Sequence, residues 1–568
     1  MNQLVLGPVL RHVDEHEATL WVETERPGRV TIVAGDHEAS ARTFAVHEHH
    51  YALVCLDGLE PGTKYEYAVE VDGGRVWPPA DSAYPPSLIP TLDHTKPLRI
   101  AFGSCRTSVA HDADGNDTHG VDSLRAYALR MAGVTDASHP DDPDPGEEAR
   151  WPDLVLFLGD QVYADETTDA MRKFIEARRD IEEEPGDELK DYQEYAELYR
   201  LAWTDPANRW LLSTLPSAMI FDDHDIRDDW NTSQSWKDVM EATSWWHERI
   251  VAGLASYWVY QHLGNLDPAE READAIWQKI VTHESEEEYD ASALLDDLAD
   301  RADQEPQSYR WSYAREYGDQ ARLIVLDSRA ARVLDPEHRS MLDDGEFAWL
   351  DEHLRGDTEH VLIGTSLPFL LAPGLHYVEA FGEALAQGGW GSGWPASLGE
   401  KIRQGADLEH WAAFQKDFQR IARMTLEVAR GERGRPPRTV TFLGGDVHHS
   451  YVSEARPIPG EGGPPIRSRI IQAVCSPIRN PLSRVWRFAT AGLAYGVAAP
   501  IGHLVAQSAK VPESPVHWRL LKGPWFDNNL ATLEVTSAGL RMWWATGVVD
   551  GDAHDTPRLV KVAEVTVE

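Results

Sequence analysis

Residues 155–166 read VLFLGDQVYADE. An apolar run ends at Gly159, and Asp160, Tyr163 and Asp165 follow at once. A short apolar run bounded by glycine reads as a buried strand. A carboxylate at the end of such a strand stands where open α/β sheets place their ligands. The pattern recurs along the chain. SAMIFDDHDIRDDWN (217–231) and TVTFLGGDVHHSY (439–451) are apolar runs that end in acids and histidines, and RIAFGSCR (99–106) ends in a cysteine. Strands that deliver oxygen, nitrogen and sulfur donors to one edge predict an α/β fold with a polynuclear metal site.

The totals set bounds around that reading. A chain of 568 residues predicts about two or three domains. With 53 basic and 94 acidic side chains the formal charge is −41. Such a surface repels polyanions, so no tight nucleic-acid binding is expected, whereas a small phosphorylated substrate is compatible if cations line its site. Most of these carboxylates read as a solvated face and only a handful as ligands. Three cysteines, Cys55, Cys105 and Cys475, make no disulfide framework and suit a reducing compartment. The opening MNQLVLGPVLRH lacks a basic n-region and a twin-arginine pair, which makes a cytoplasmic protein the expectation. The stretch FATAGLAYGVAAPIGHLVA (488–506) is apolar but rich in Gly and Ala and broken by Pro500 and His503. It predicts a buried or lid helix pair rather than a membrane span.

Residues 1–94 read as β. In LDGLEPGTKYEYAVEVDGG (56–74) a Pro-Gly turn leads into Tyr65, Tyr67, Val69 and Val71, alternating with polar residues. Period 2 with turns at this spacing predicts a β-sandwich, and the segment resembles a fibronectin type III domain. Pro78, Pro79, Pro85, Pro86 and Pro90 mark a linker. The second domain, 95–568, opens with a strand at 99–105 that ends at Cys105. It continues through an acidic loop at 137–153, a helical region at 168–210 and a helical, acidic insertion at 235–302. Tyr192, Tyr195, Tyr199 and Trp203 recur at near-helical spacing and read as core. Further strands are predicted at 322–327, at 360–371, from 439, at 469–474 and from 530 to the end, with a hairpin at 531–547. A long amphipathic helix covers 406–431. The Gly- and Trp-rich segment at 386–397 reads equally as a lid or as an ordinary surface loop.

The chemistry concentrates at the strand ends. Asp160 can bridge two cations, and Tyr163, a turn later, can bind one of them. Phenolate and thiolate donors together favour an oxidised, hard cation such as Fe³⁺. In FDDHD, alternation allows Asp223 as a ligand with His224 reaching the substrate. Flanking carboxylates favour the protonated imidazole, which suits a general acid. In GGDVHHSY the same alternation puts Asp446 and His448 on one side and turns His449 away. Cys105, between Gly103-Ser104 and Arg106, reads as a ligand more readily than as core filler, while Cys55 and Cys475 read as structural. Asp327-Ser328-Arg329 either aims Arg329 at a phosphate or forms a buried Asp–Arg pair.

GSCR, GDQVYAD, FDDHD, LIVLDSR and GGDVHHSY, in that order, resemble the alkaline phosphatase D (PhoD-like) family of the calcineurin-like metallophosphatases. The resemblance implies a four-layer α/β/β/α domain, a two-sheet sandwich flanked by helices, behind the N-terminal β-sandwich. It implies a metal-dependent phosphoesterase acting on phosphomonoesters, phosphodiesters or both, by in-line attack of a metal-bound hydroxide. It further implies Fe³⁺ held by Cys105, Asp160, Tyr163 and His448, and Ca²⁺ held by Asp160, Asp223 and Asp446. His224 then stands near the leaving group, and Arg329 is the second catalytic candidate. Two departures stand out. Asp228 and Asp229 replace two asparagines common in the family before the tryptophan, and the usual secretion signal is missing. Two other readings compete: a Cys/His hydrolase with Cys105 as nucleophile and His224 or His448 as base, and a non-catalytic binding protein on the same fold. Neither the residues nor the resemblance selects an oligomeric state.

Overall fold

The computed structural model describes residues 2–135, 151–386, 409–482, 487, 506–536 and 538–568. The Gly- and Trp-rich segment after residue 386, the apolar stretch at 488–505 and most of the acidic loop at 137–153 lie outside the described residues.

The N-terminal region is all β. Strands Leu4–Val13, Glu17–Thr24, His49–Asp57 and Phe44–Val46 form one sheet; His37–Arg42, Arg29–Ala34, Lys64–Val71 and Gly74–Trp77 form the other. The alternation read from the sequence decides which residues face inward. Val30, Ile32 and Ala34 pack against Val69 and Val71, with Leu20, Val22, Val54 and Leu56 from the opposite sheet. Strand Leu88–Pro90 pairs with Lys64–Val71 of this sandwich and ends shortly before the first strand of the next sheet, Arg99–Gly103.

The acidic insertion returns to this domain, which the sequence did not foretell. Tyr289–Asp290 pairs in parallel with Phe44 and Ala45 and so extends the N-terminal sheet. Arg42 donates to the carbonyls of Ser285 and Glu286. Two nearby histidines complete the dock: His47 Nε2 lies 2.8 Å from Asp296 and His50 Nδ1 2.8 Å from Glu288, while His49 Nε2 lies 2.9 Å from Gln193 on helix Tyr192–Trp203. The Asp296 carboxylate raises the His47 pKa despite partial burial. A raised histidine pKa stabilises the dock fully below the unfolded value, about 6.5, and that contribution is lost as pH rises through the folded value. Hydrogen exchange across residues 44–50 is therefore expected to be faster at about pH 8.5 than its intrinsic pH dependence accounts for, relative to about pH 6. Asp296→Asn should remove that excess.

Two further sheets form the centre of the molecule. Ser217–Ile220, Leu154–Leu158, Arg99–Gly103, Leu530–Val535, Leu540–Val548 and Arg558–Val567 make one, in that order. Tyr313–Tyr317, Ala321–Leu326, His360–Thr365, Thr439–Gly444, Arg469–Val474, Ser450–Pro457 and Val516–Trp525 make the other. The first three strands of the first sheet run parallel, as do the four from Ala321–Leu326 to Arg469–Val474 in the second. Both faces are buried, so these strands read as continuous apolar runs. In the second sheet Leu323, Val325 and Leu362 share a core with Leu156 and Leu158 of the first. Ile324, Leu326, Val361 and Ile363 instead meet helices Asp344–His353 and Gln415–Arg430 through Phe347, Leu350, Phe418 and Ile421. Gly364 lets the two sheets approach: a Cβ there would stand 3.1 Å from the Leu158 side chain.

The helical region at 168–210 is three helices, Asp169–Glu176, Tyr192–Trp203 and Pro206–Thr214. The last break is local chemistry: Asp205 caps the backbone N–H groups of Ala207 and Asn208, and Pro206 occupies the first turn. Tyr192, Tyr195, Tyr199 and Trp203 are buried as core, with Tyr199 stacked on Tyr260 at 4.2 Å. No helix among the described residues is long and apolar enough to cross a membrane.

Candidate metal centre

The parallel strands end in the turns that carry the candidate residues. Cys105, Asp160, Asp446 and His448 all adopt left-handed backbone, with φ of 57°, 49°, 61° and 50°. Such conformations are uncommon for residues with a Cβ and cluster where a side chain must be aimed against local preference. The glycines beside them allow close approach. A Cβ on Gly159 would stand 2.6 Å from that of Asp222, and one on Gly445 would stand 2.5 Å from that of Ser104.

Asp160, Asp222, Asp223 and Asp446 converge, each offering an oxygen within 4.8 Å of the others. The first three are at least 98% buried. Cys105 Sγ adjoins the group 3.2 Å from Asp160 Oδ2, and Ser104 and Ser476 flank the thiol. Tyr163 is buried with its ring 4.7 Å from that of His224. The His448 backbone is fixed by an N–H bond to Ser476 Oγ. All six predicted metal ligands thus lie at neighbouring strand ends, although Cys105, Tyr163 and His448 stand outside the tight carboxylate group.

Electrostatics match a cation-binding site. Burial, reinforced by Cys105, Asp222 and Asp223, holds Asp160 well above the usual carboxylate range. Burial does the same to Asp222, with Asp446 and Asp223 adding to it against Arg329, and lifts Asp223 to about 6. Burial alone would raise Asp446 too, but its bond to His410 brings it down to about 2. Asp160 Oδ1 and Asp222 Oδ2 are buried and make no hydrogen bond among the described residues. Orphaned, crowded carboxylate oxygens are ready acceptors for cations. Burial pushes His448 down to about 4, so its imidazole is neutral and free to ligate. The donors present therefore fit the ions that the resemblance implies.

Burial, with Asp446 nearby, pushes the Cys105 thiol up to about 12. A nucleophilic cysteine needs the opposite shift, so this geometry speaks against the Cys/His hydrolase. Cys475 is buried with its thiol 3.1 Å from Asn529 Oδ1 and packs as a structural residue.

His224 Nδ1 lies 2.9 and 3.0 Å from the two oxygens of Asp165. Burial alone would lower its pKa, but Asp165, Asp223 and Asp160 outweigh that and hold it well above the ordinary value. Asp228 Oδ1 stands 4.0 Å from Nε2, with its side chain 64% exposed. Arg329 departs from the picture of a phosphate-facing cation. It is fully buried, and its guanidinium is taken by Asp222, Glu409 and, at 3.1 Å, Asp223. Nor does it pair with Asp327, whose carboxylate accepts the backbone N–H groups of Arg329, Ala330 and Ala331.

Several contributors carried no strand-end signal or were passed over. Asp222 belongs to the carboxylate group itself. Asp225, from the same FDDHD, accepts the backbone N–H groups of Asp160 (3.0 Å) and Asp222 (2.9 Å) and so ties two strand ends together. Its place two residues after Asp223 is the available clue. Glu379 lies on helix Pro373–Ala386, and Glu409 and His410 lie just before the short helical turn Trp411–Ala413; no strand end marks any of the three in the sequence. His449 turns away as expected: its Nδ1 meets the Val447 carbonyl, and its ring packs on Tyr451 and Phe526.

Comparison with known proteins bears on this arrangement. No curated protein matches the sequence. The profile of a domain of unknown function, DUF7800, matches residues 1–89, the region read as fibronectin III-like. A solved structure described as PhoD superposes with a TM-score of 0.59 at 14% identity, covering 99% of this chain and 93% of that one. The type III pullulan hydrolase from Thermococcus kodakarensis aligns at a TM-score of 0.14 and 10% identity, over 99% of this chain and 98% of that one, too low to bear on the fold. The profile of the PhoD-like phosphatase family matches residues 147–484, more than half of the chain, and includes Asp160, Asp223, His224 and Asp446. The chain belongs to the PhoD-like phosphatase family.

Proposed function

We propose that this protein is a metal-dependent phosphoesterase that hydrolyses phosphomonoesters, phosphodiesters or both. The observation that carries the reading is the group of buried carboxylates, Asp160, Asp222, Asp223 and Asp446, crowded at strand ends with two oxygens unpartnered. Cys105, Asp160, Tyr163 and His448 would hold Fe³⁺, since thiolate, phenolate and carboxylate together suit a hard, highly charged ion. Asp160, Asp223 and Asp446 would hold Ca²⁺, which takes oxygen ligands. When bound, such cations polarise a phosphoryl oxygen and bring the pKa of water from 15.7 to about 7. The scaffold is the four-layer arrangement. It is supported by helix Ser123–Met131 against strands Leu540–Val548 and Arg558–Val567 of one sheet, and by the helices on the outer face of the other.

The chain's own groups divide the remaining work. Asp165 engages His224 Nδ1, so the proton on Nε2 is the one available to the leaving oxygen. Arg329 acts behind the site as a positioning residue, holding Asp222 and Asp223 rather than the phosphate. Elemental analysis of the purified protein is expected to find a transition metal with calcium. Chelation should abolish turnover of chromogenic monoester and diester phosphates alike, and re-addition should restore it. Alkylation of the native protein should leave activity intact, because Cys105 is buried. Undiminished activity in thoroughly chelated protein would overturn the reading.

A further inference from the structure

Two consecutive buried residues, Glu409 and His410, reach both sides of the carboxylate group from a segment that ends no strand. Glu409 Oε1 accepts an Arg329 terminal nitrogen at 2.7 Å, and Oε2 takes the other. Arg329 in turn holds Asp222 and lies 3.1 Å from Asp223 Oδ1. His410 Nε2 stands 2.9 Å from Asp446 Oδ2, and His410 Nδ1 stands 2.8 Å from Glu379 Oε1 on helix Pro373–Ala386. The dipeptide is itself pinned. Arg332 donates to the Glu409 carbonyl at 2.9 Å, and the His410 carbonyl accepts the Ala413 N–H at 2.9 Å.

A buried Glu–His pair is ordinarily explained by helix packing alone. Two features go further here. One peptide step anchors the guanidinium behind Asp222 and Asp223 and the imidazole on Asp446. Asp446 also sits at a left-handed φ of 61°, where its aim must be enforced from outside. Glu379 fixes which imidazole nitrogen faces Asp446, and partners of this kind orient a ligand before its ion arrives.

We infer that Glu379 and His410 form a positioning pair that sets how tightly the Asp223–Asp446 side of the centre holds its cation, an inference that rests on the metal reading above. Without the pair the Asp446 carboxylate regains rotational freedom, and binding must order it again. The pair makes no hydrogen bond to Cys105 or Tyr163, so the effect is confined to the carboxylate side.

The test uses full-length protein, with calcium alone as the probe in a chelator competition. Iron content and the phenolate-to-iron absorption band are read in parallel. Glu379→Gln and His410→Gln are each expected to raise the calcium dissociation constant about ten- to hundredfold. Iron content and the absorption band should stay at parental values, and so should the unfolding temperature measured in chelator. Glu379→Gln leaves the imidazole in place and carries the test if His410→Gln fails to fold. A parent that binds neither ion overturns the metal reading and this inference with it. A parent that holds both ions, with variants that hold calcium equally tightly or lose iron in proportion, overturns the inference alone.

Discussion

Replacing Asp160 by asparagine is expected to cut kcat/KM at least about a thousandfold, while leaving the metal-free protein as stable as its parent or more so. The two effects have opposite signs because Asp160 is a poor structural residue and a good ligand. It is fully buried, and burial with Cys105, Asp222 and Asp223 around it penalises its charged form. Asparagine has nearly the same shape and no charge, and its amide oxygen can still accept the Cys105 thiol, now 3.2 Å from Asp160 Oδ2. Removing one member of a crowd of buried like charges relieves repulsion that His224 and Arg329 offset only in part without a cation. With cations present the order reverses, since a ligand that binds only the folded state raises stability with the logarithm of its affinity. Thermal unfolding of parent and variant, with chelator and with Fe³⁺ and Ca²⁺, checks this alongside kinetics on both ester types. A variant destabilised in chelator would show that Asp160 serves the fold, and one with parental turnover would remove it from the site.

That reversal bears on what the sequence could and could not tell. Strand ends are legible because a buried parallel strand must be apolar on both faces, so an acid that follows one stands out. Asp160, Asp223, Asp446 and Cys105 stand out in this way, whereas the pairing of their strands into two facing sheets is what the family resemblance implies. The partners that aim these residues follow no such pattern. Arg329 was visible in LDSR, but its direction depends on Glu409, 80 residues later. Asp446 depends on His410, and His410 on Glu379, neither of which ends a strand. The left-handed backbone at Cys105, Asp160, Asp446 and His448 was hidden as well, because none of the four is a glycine. The docking of Tyr289–Asp290 on the N-terminal sheet rests on two residues, too few to show a period. Local pattern thus locates the ligands, while their orientation is set by contacts distant in sequence.

His224 offers the sharper test of chemistry, because its contribution depends on the leaving group. In His224→Asn, turnover of an alkyl phosphate ester is expected to fall about 10²- to 10⁴-fold, the usual range for a lost general acid. Turnover of a 4-nitrophenyl ester should fall less than about tenfold, because 4-nitrophenolate departs without a proton. The geometry supports that division: Asp165 occupies Nδ1, and only Nε2 is left to deliver a proton. The same pairing makes a pH prediction. Burial opposes the charged imidazole, and Asp165 is the largest of the groups that overcome it and hold the pKa well above the ordinary value. The parental enzyme should therefore keep its acid form through neutral pH and lose alkyl-ester activity only as pH rises through that raised value. Asp165→Asn removes the main opposing charge, so its alkaline limb should move to lower pH while activated esters show little change. Equal losses on alkyl and nitrophenyl esters would mean that His224 binds or orients substrate instead, and an unmoved alkaline limb in Asp165→Asn would assign that limb to another group.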